Sequence, residues 1–352
     1  MRWSILLLMT LSLACSKKEQ AAPTEPEQAA GTEAPADSEA LSPELGAPTE
    51  PGTEVPRPKG AEELPEPLRT PAPPLSDPPI IEVLDQGSEP RRTLQWDIAS
   101  GFEQKLSADV GFSIDAVVVV MRVAEPPYVV SYDLTLRAQE VEGDGKVSVA
   151  YEVSGAEIDA KTLGDKRRDR IMTALATAKK LSGSYTLGPR GRITDFKMKI
   201  PDGATRTGHD MADSLRWALF QMTPTFPEQP IGQGATWTVQ QGILQGGIRV
   251  NQLTTFKIAK LEDERIELAV DQLQSAAKQV FQDPGLPMNK QLTLMSGTAD
   301  GPLTWKLSEL APRAADLGSG VLKAAEQPSN DPKQRPVEAL IKTHRALQIT
   351  EK

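Results

Sequence analysis

The chain has a single cysteine, Cys15, and two histidines, His209 and His344, among 352 residues. With the cysteine at the extreme N-terminal side, the rest of the chain can form no disulfide, thiol nucleophile or cysteine-based metal site. Its core alone must hold it together. Aromatic residues are scarce at 5%, and none occurs between Trp3 and Trp96. Long hydrophobic runs are missing too. Ser4 to Leu13 is nearly all apolar but too short to cross a membrane as a helix, which takes roughly 20 residues. No G-x-S-x-G elbow occurs, and "LGPRGR" (Leu187 to Arg192) lacks the spacing and the Lys-Ser/Thr ending of a phosphate loop. A strand follows it rather than a helix, so it reads as a hairpin turn. Nor is there a basic surplus, which argues against a nucleic-acid surface.

What is present begins with "LSLACSKKEQ" (Leu11 to Gln20). Arg2 gives a positive start, an apolar stretch follows, and the small residue Ala14 precedes Cys15, the layout of a cleavable secretory signal. Leu11-Ser12-Leu13-Ala14-Cys15 resembles the lipobox of bacterial lipoproteins, with Ser12 where that family favours leucine. The resemblance implies cleavage before Cys15, acylation of its thiol, and a further chain on the new amine. Several acyl chains anchor stably where one is marginal. Ser16 follows the cysteine instead of the aspartate that retains many such proteins in the inner membrane, so the resemblance implies the outer membrane.

From Cys15 to residue 80 the composition is Pro, Glu, Ala and Thr without helical or alternating period. Such a stretch buries too little apolar surface to offset its ordering entropy and is expected to be a disordered, extended tether. It carries 13 acids and 5 bases, most of the formal charge of −9, and leaves residues 81–352 close to neutral.

Residues 81–352 read as one β-rich domain, with 81–222 and 231–352 as its two halves. Leu94, Trp96 and Ile98 alternate with polar neighbours, and "FSIDAVVVVMRV" (Phe112 to Val123) is β-branched. "YVVSYDLTLRAQEVE" and "KVSVAYEV" alternate on either side of Gly143-Asp144-Gly145, and "GSYTLGPRGRITDFKMKI" is a second hairpin. Helical periodicity is expected over Leu163–Leu181, with Ile171, Leu175 and Ala178 on one face. It returns over Thr207–Met222, capped by Thr207. After the proline-rich crossover "TPTFPEQPIGQG", strands resume in "ATWTVQQGI", "GIRVNQLTTFKIAKLE", "RIELAVDQLQSAAKQV" and "LTLMSGTADGPLTWKL". Short helical pieces are expected in Leu307–Glu326 and a last strand over Ala339–Ile349. The fold class is α+β: a mostly antiparallel, curved, half-open barrel-like sheet with two or more packed helices. That architecture resembles the half-barrels of lipoprotein-carrier and lipoprotein-receptor proteins.

His209, Asp210 and Asp213 share a helix start, but acids there are expected from the helix dipole, and two or three residues in one turn do not make a metal site. No cofactor, metal or catalytic set is expected. Trp96, Tyr128, Tyr132, Trp217, Trp237 and Trp305 read as core or as pocket wall. The face of the second helix carrying Met211, Leu215, Leu219 and Met222 either packs fully on the sheet or lines an apolar cavity, where methionine gives an adaptable wall. The expected role is a non-enzymatic, outer-membrane-anchored protein, on the periplasmic face or the cell surface, that binds an apolar small molecule or an envelope partner. The alternatives are a structural envelope protein without a pocket and a secreted hydrolase.

Overall fold

The computed structural model describes residues 65–69, 71–75, 77–118, 121–158, 165–282, 289–327 and 337–352. Cys15, the signal segment and the tether up to residue 64 lie outside the described residues, as does the start expected for the first helix. The elements in chain order are α1 (Glu66–Arg69), β1 (Ile80–Asp85), β2 (Glu103–Val118), β3 (Met121–Val141), β4 (Val147–Ile158), α2 (Asp165–Ala178), β5 (Ser182–Leu187), β6 (Ile193–Lys199), α3 (Arg206–Gln221), β7 (Thr236–Gln245), β8 (Ile248–Leu261), β9 (Arg265–Ala276), β10 (Gln279–Gln282), β11 (Asn289–Lys306), β12 (Ala314–Gln327) and β13 (Val337–Glu351).

The strands form one curved, unclosed antiparallel sheet, ordered β1-β7-β8-β9-β11-β12-β13-β2-β3-β4-β5-β6, with β10 paired to β11. Each half of the chain is a meander, because alternating strands separated by short turns pair with their sequence neighbours. The halves meet where β13 pairs with β2, from Glu351 opposite Leu106 to Ala339 opposite Val118. The crossover carries the chain to the far edge, where β7 pairs with β1. The ends of the sheet are therefore β1 and β6.

Side chains alternate as a pleated strand requires, so each strand gives one face to the core. In β3, Val130, Tyr132, Leu134, Leu136 and Ala138 are buried, and in β4 Val147, Val149, Tyr151 and Val153. The two helices cover this inner face. In α3 Met211, Ala212, Leu215, Ala218 and Leu219 form one buried stripe at helical spacing. Tyr132 Oη donates to the Met211 carbonyl at 3.1 Å, which ties the helix to β3. α2 buries Ile171, Ala174, Leu175 and Ala178. The crossover is fastened by Phe226, whose ring centroid lies 5.4 Å from Trp96 and 6.1 Å from Trp237. Trp237 Nε1 donates to the Thr225 carbonyl at 2.8 Å.

Four expectations are corrected. Leu307–Glu326 holds no helix; most of it is β12, bonded on both sides by β11 and β13. Two flanking strands pair most of its ladder groups, which outweighs the local helix propensity of its alanines. Leu94, Trp96 and Ile98 are buried, but their segment is irregular, held by Trp96 N–H to the Pro189 carbonyl and Asp97 N–H to the Leu307 carbonyl. The cap of α3 is Thr205, not Thr207: its side chain accepts from Gly208 N–H at 3.2 Å. The sequence predicts a tether up to residue 80, yet described residues near its end pack on the sheet. Leu68 is buried, and its carbonyl accepts from Ser275 Oγ at 2.9 Å.

That docking has a reason in the strands. Along β8 and β9 the inner face carries Gln252, Thr254, Gln272 and Gln274, while Leu253 pairs with Leu273 on the outer face. The outer face is locally apolar, and α1 lies against β8 and β9 there. The chain then runs past Gly242, where a Cβ would collide with the Pro73 carbonyl oxygen, and so glycine lets the two backbones meet.

Candidate functional site

β1 pairs with β7 only as far as Gln240, opposite Ile80. Beyond that point the end of β7 faces β6 across the sheet's open seam, and α3 forms the wall between them. The space left is a cleft of ≈ 510 Å³. That is within the range of roughly 300–1,000 Å³ typical of small-molecule sites. Its walls come from β6 (Ile193 to Phe196), α3 (Asp213, Arg216, Trp217, Phe220, Gln221), the end of β7 with its turn, and the segment that precedes β1 (Leu75, Asp77, Pro79). Leu75 and Leu244 at its rim are 50% and 41% exposed, unusual for large apolar side chains.

A distortion in β6 shapes one wall. Lys197 lies opposite Ser184 and Thr194 opposite Thr186, so Asp195 and Phe196 together face Tyr185: a β-bulge. Asp195 adopts φ +50°, a left-handed conformation that aspartate tolerates better than most residues. The bulge brings Phe196 into a stack with Tyr151 and Tyr185 and against Phe220 of α3. The guanidinium of Arg216 lies over both Phe196, at 5.5 Å, and Phe220, at 5.8 Å.

The opposite wall carries Arg345 of β13. Its guanidinium lies over Phe112 at 5.9 Å and Trp217 at 5.8 Å, and its Nε is fully covered with no hydrogen-bond partner. Burial pushes the Arg345 pKa down, while Asp213 and Asp210 oppose that and hold its charged form. Gln245 Oε1, also on the cleft wall, is the other covered polar atom there without a partner.

Gln221 and Gln252 of the lining belong to a glutamine network that continues beneath the cleft. Gln274 Nε2 donates to Gln252 Oε1 at 2.9 Å and to Gln272 Oε1 at 3.2 Å; Gln272 Nε2 donates to Gln221 Oε1 at 3.0 Å and to Thr254 Oγ1 at 3.2 Å. Buried amides must be paired in this way, since an unpaired one costs about 1–3 kcal/mol. The belt separates the main core from a smaller apolar cluster of Ile248, Val250, Phe281, Leu292, Met295, Val321 and Ala325.

Met211, Leu215, Leu219 and Met222 are all buried in the main core, and none of them lines the cleft. Their helix contributes instead the residues on its adjoining side. Of the six aromatics singled out, Trp96, Tyr128, Tyr132, Trp237 and Trp305 are core, and Trp217 alone reaches the cleft. Asp213 belongs to the cleft, and among the described residues no group of three or more His, Asp or Glu side chains could hold a metal ion. Arg216, Arg345 and the glutamines were missed. Arginine on a helix reads as solvated, and Gln272 and Gln274 alternate with Leu273, which puts them outside on a simple two-residue pattern. Cys15 lies outside the described residues. No family model matches this chain, and no curated protein matches it.

Proposed function

We propose that this chain is an envelope lipoprotein, anchored to the outer membrane through acylated Cys15, whose domain holds a small, largely apolar ligand in the cleft without transforming it. The observation that carries the binding reading is the ≈ 510 Å³ cleft, with its exposed leucines and aromatic walls, at the open seam of an otherwise packed sheet. The lipobox-like segment ending at Cys15 carries the envelope reading, and the half-barrel likeness of a sheet left open beside a helix agrees with both. A purely structural envelope protein is the second reading. It is favoured by the burial of Met211, Leu215, Leu219 and Met222, which packs that side of α3 into the core.

A fluorescent fatty acid titrated into the full mature chain separates the two. Saturable one-to-one binding, weakened by Leu244→Trp at the rim without a change in melting temperature, supports the ligand reading. Binding that never saturates, or that Leu244→Trp leaves unchanged, sinks it in favour of the structural one.

A further inference from the structure

We infer that the ligand carries an anionic group, a carboxylate or phosphate, on its apolar body, and that Arg216 and Arg345 receive it; this deepens the binding reading above and rests on it. Several arginines elsewhere find carboxylates. Arg122 pairs with Asp115 at 2.6 Å, Arg137 with Glu103 at 2.7 Å and Arg313 with Glu309 at 2.5 Å. Arg216 and Arg345 differ. Among the described residues neither makes a hydrogen bond or an ion pair at contact distance, and each guanidinium lies over two aromatic rings. A π face holds the cation by its flat side and leaves the in-plane N–H edge open. That edge matches a carboxylate or phosphate in paired hydrogen bonds. Both arginines line the cleft, from opposite walls, and the covered Nε of Arg345 is a donor with no hydrogen-bond partner among the described residues.

The aspartates of the cleft define how selection works. Asp77, Asp195 and Asp213 line it alongside Arg192, Arg216 and Arg345, so its net charge is small. Long-range attraction is accordingly weak, and discrimination rests on directed donors at short range. The apolar body would lie toward Phe196, Phe220 and Ile243, with its head at the arginines.

Isothermal titration of the full mature chain with ten-carbon probes tests this: decanoate and decyl phosphate as anions, decyl glucoside as neutral, decyltrimethylammonium as cation, and inorganic phosphate alone. The two anions should bind about ten-fold tighter than the neutral probe, the worth of one charge-assisted hydrogen bond. Arg216→Gln should remove most of that preference, weakening the two anions far more than decyl glucoside; Arg216 is partly exposed, and a melting curve verifies that the variant is folded. Equal affinity for all four decyl probes, or preference for the cation, overturns the anion site while the binding reading survives. Failure of every decyl probe to bind overturns the binding reading itself. Inorganic phosphate competing as well as decyl phosphate supports the arginine site and assigns its anion to a free source rather than a lipid.

Discussion

Asp195 and Phe196 show how one backbone irregularity sets a wall of the cleft. The bulge needs a residue that accepts φ +50°, and a β-branched side chain does not. Asp195→Val should destabilise the domain by about 1–3 kcal/mol in chemical denaturation. It should also weaken probe binding, because Phe196 would lose its place under Arg216. His344 offers a test of a different kind. Burial and the neighbouring Lys342 push its pKa below the ordinary 6.5, with Asp115 partly opposing. A base held neutral in the folded state takes up protons preferentially when unfolded, so its contribution is intact above about pH 6.5 and is lost as pH falls from there toward the lower folded value. His344 is an exposed residue, so the effect is small. His344→Gln should flatten the pH dependence of the melting temperature just below pH 6.5. The carboxylates Glu103 and Asp115, held below their ordinary values chiefly by hydrogen bonds from Arg137 and Arg122, act only at more acid pH.

At the scale of elements, α3 does two jobs with two sides. One side, through Met211, Leu215 and Leu219, closes the core; the other, through Arg216, Trp217 and Phe220, walls the cleft. Its position depends on how it starts, and Thr205 supplies the first turn with its acceptor. Thr205→Ala should cost about 1 kcal/mol of stability, measured by urea unfolding, with the Thr205→Ser variant close to the parent. Much of the element pattern was legible beforehand. The hairpin across Gly143-Asp144-Gly145, the hairpin ending in β6, both helices, and β7, β8 and β13 follow from periods of two and of roughly three and a half. β12 was not legible, because its Ala- and Gly-rich stretch has no clear period, and only its two partner strands select the extended form.

For the whole molecule, the unexpected feature is the docking of the residues described between 65 and 79. They cover an apolar patch on the outer face of β8 and β9 and then line the cleft with Leu75, Asp77 and Pro79. A protease acting on the native chain should therefore leave a resistant fragment beginning before residue 65, not near residue 80, and intact-mass measurement of a timed digest reads this directly. A fragment starting near residue 80 would show that the segment detaches in solution. The anchor proposed at Cys15 has its own test. Cys15→Ser should leave the signal uncleaved or move the protein from the membrane fraction to the soluble one. Unchanged fractionation and unchanged mass would remove the lipid anchor.

Composition and period by themselves determined that residues beyond about 80 form a β-rich, near-neutral domain with two surface helices, since alternation and helical spacing are local properties of the chain. Which helix side would face a cavity was beyond their reach. Nor could they tell that Gln272 and Gln274 turn inward while Leu273 turns out, or that two distant arginines would share one cleft. Those depend on the register of β8 with β9, on the bulge at Asp195, and on Arg345 and Arg216 being brought together across more than a hundred residues. Tertiary structure decided them because the burial of a polar side chain is settled by the partners the whole sheet supplies, and no local pattern encodes those partners.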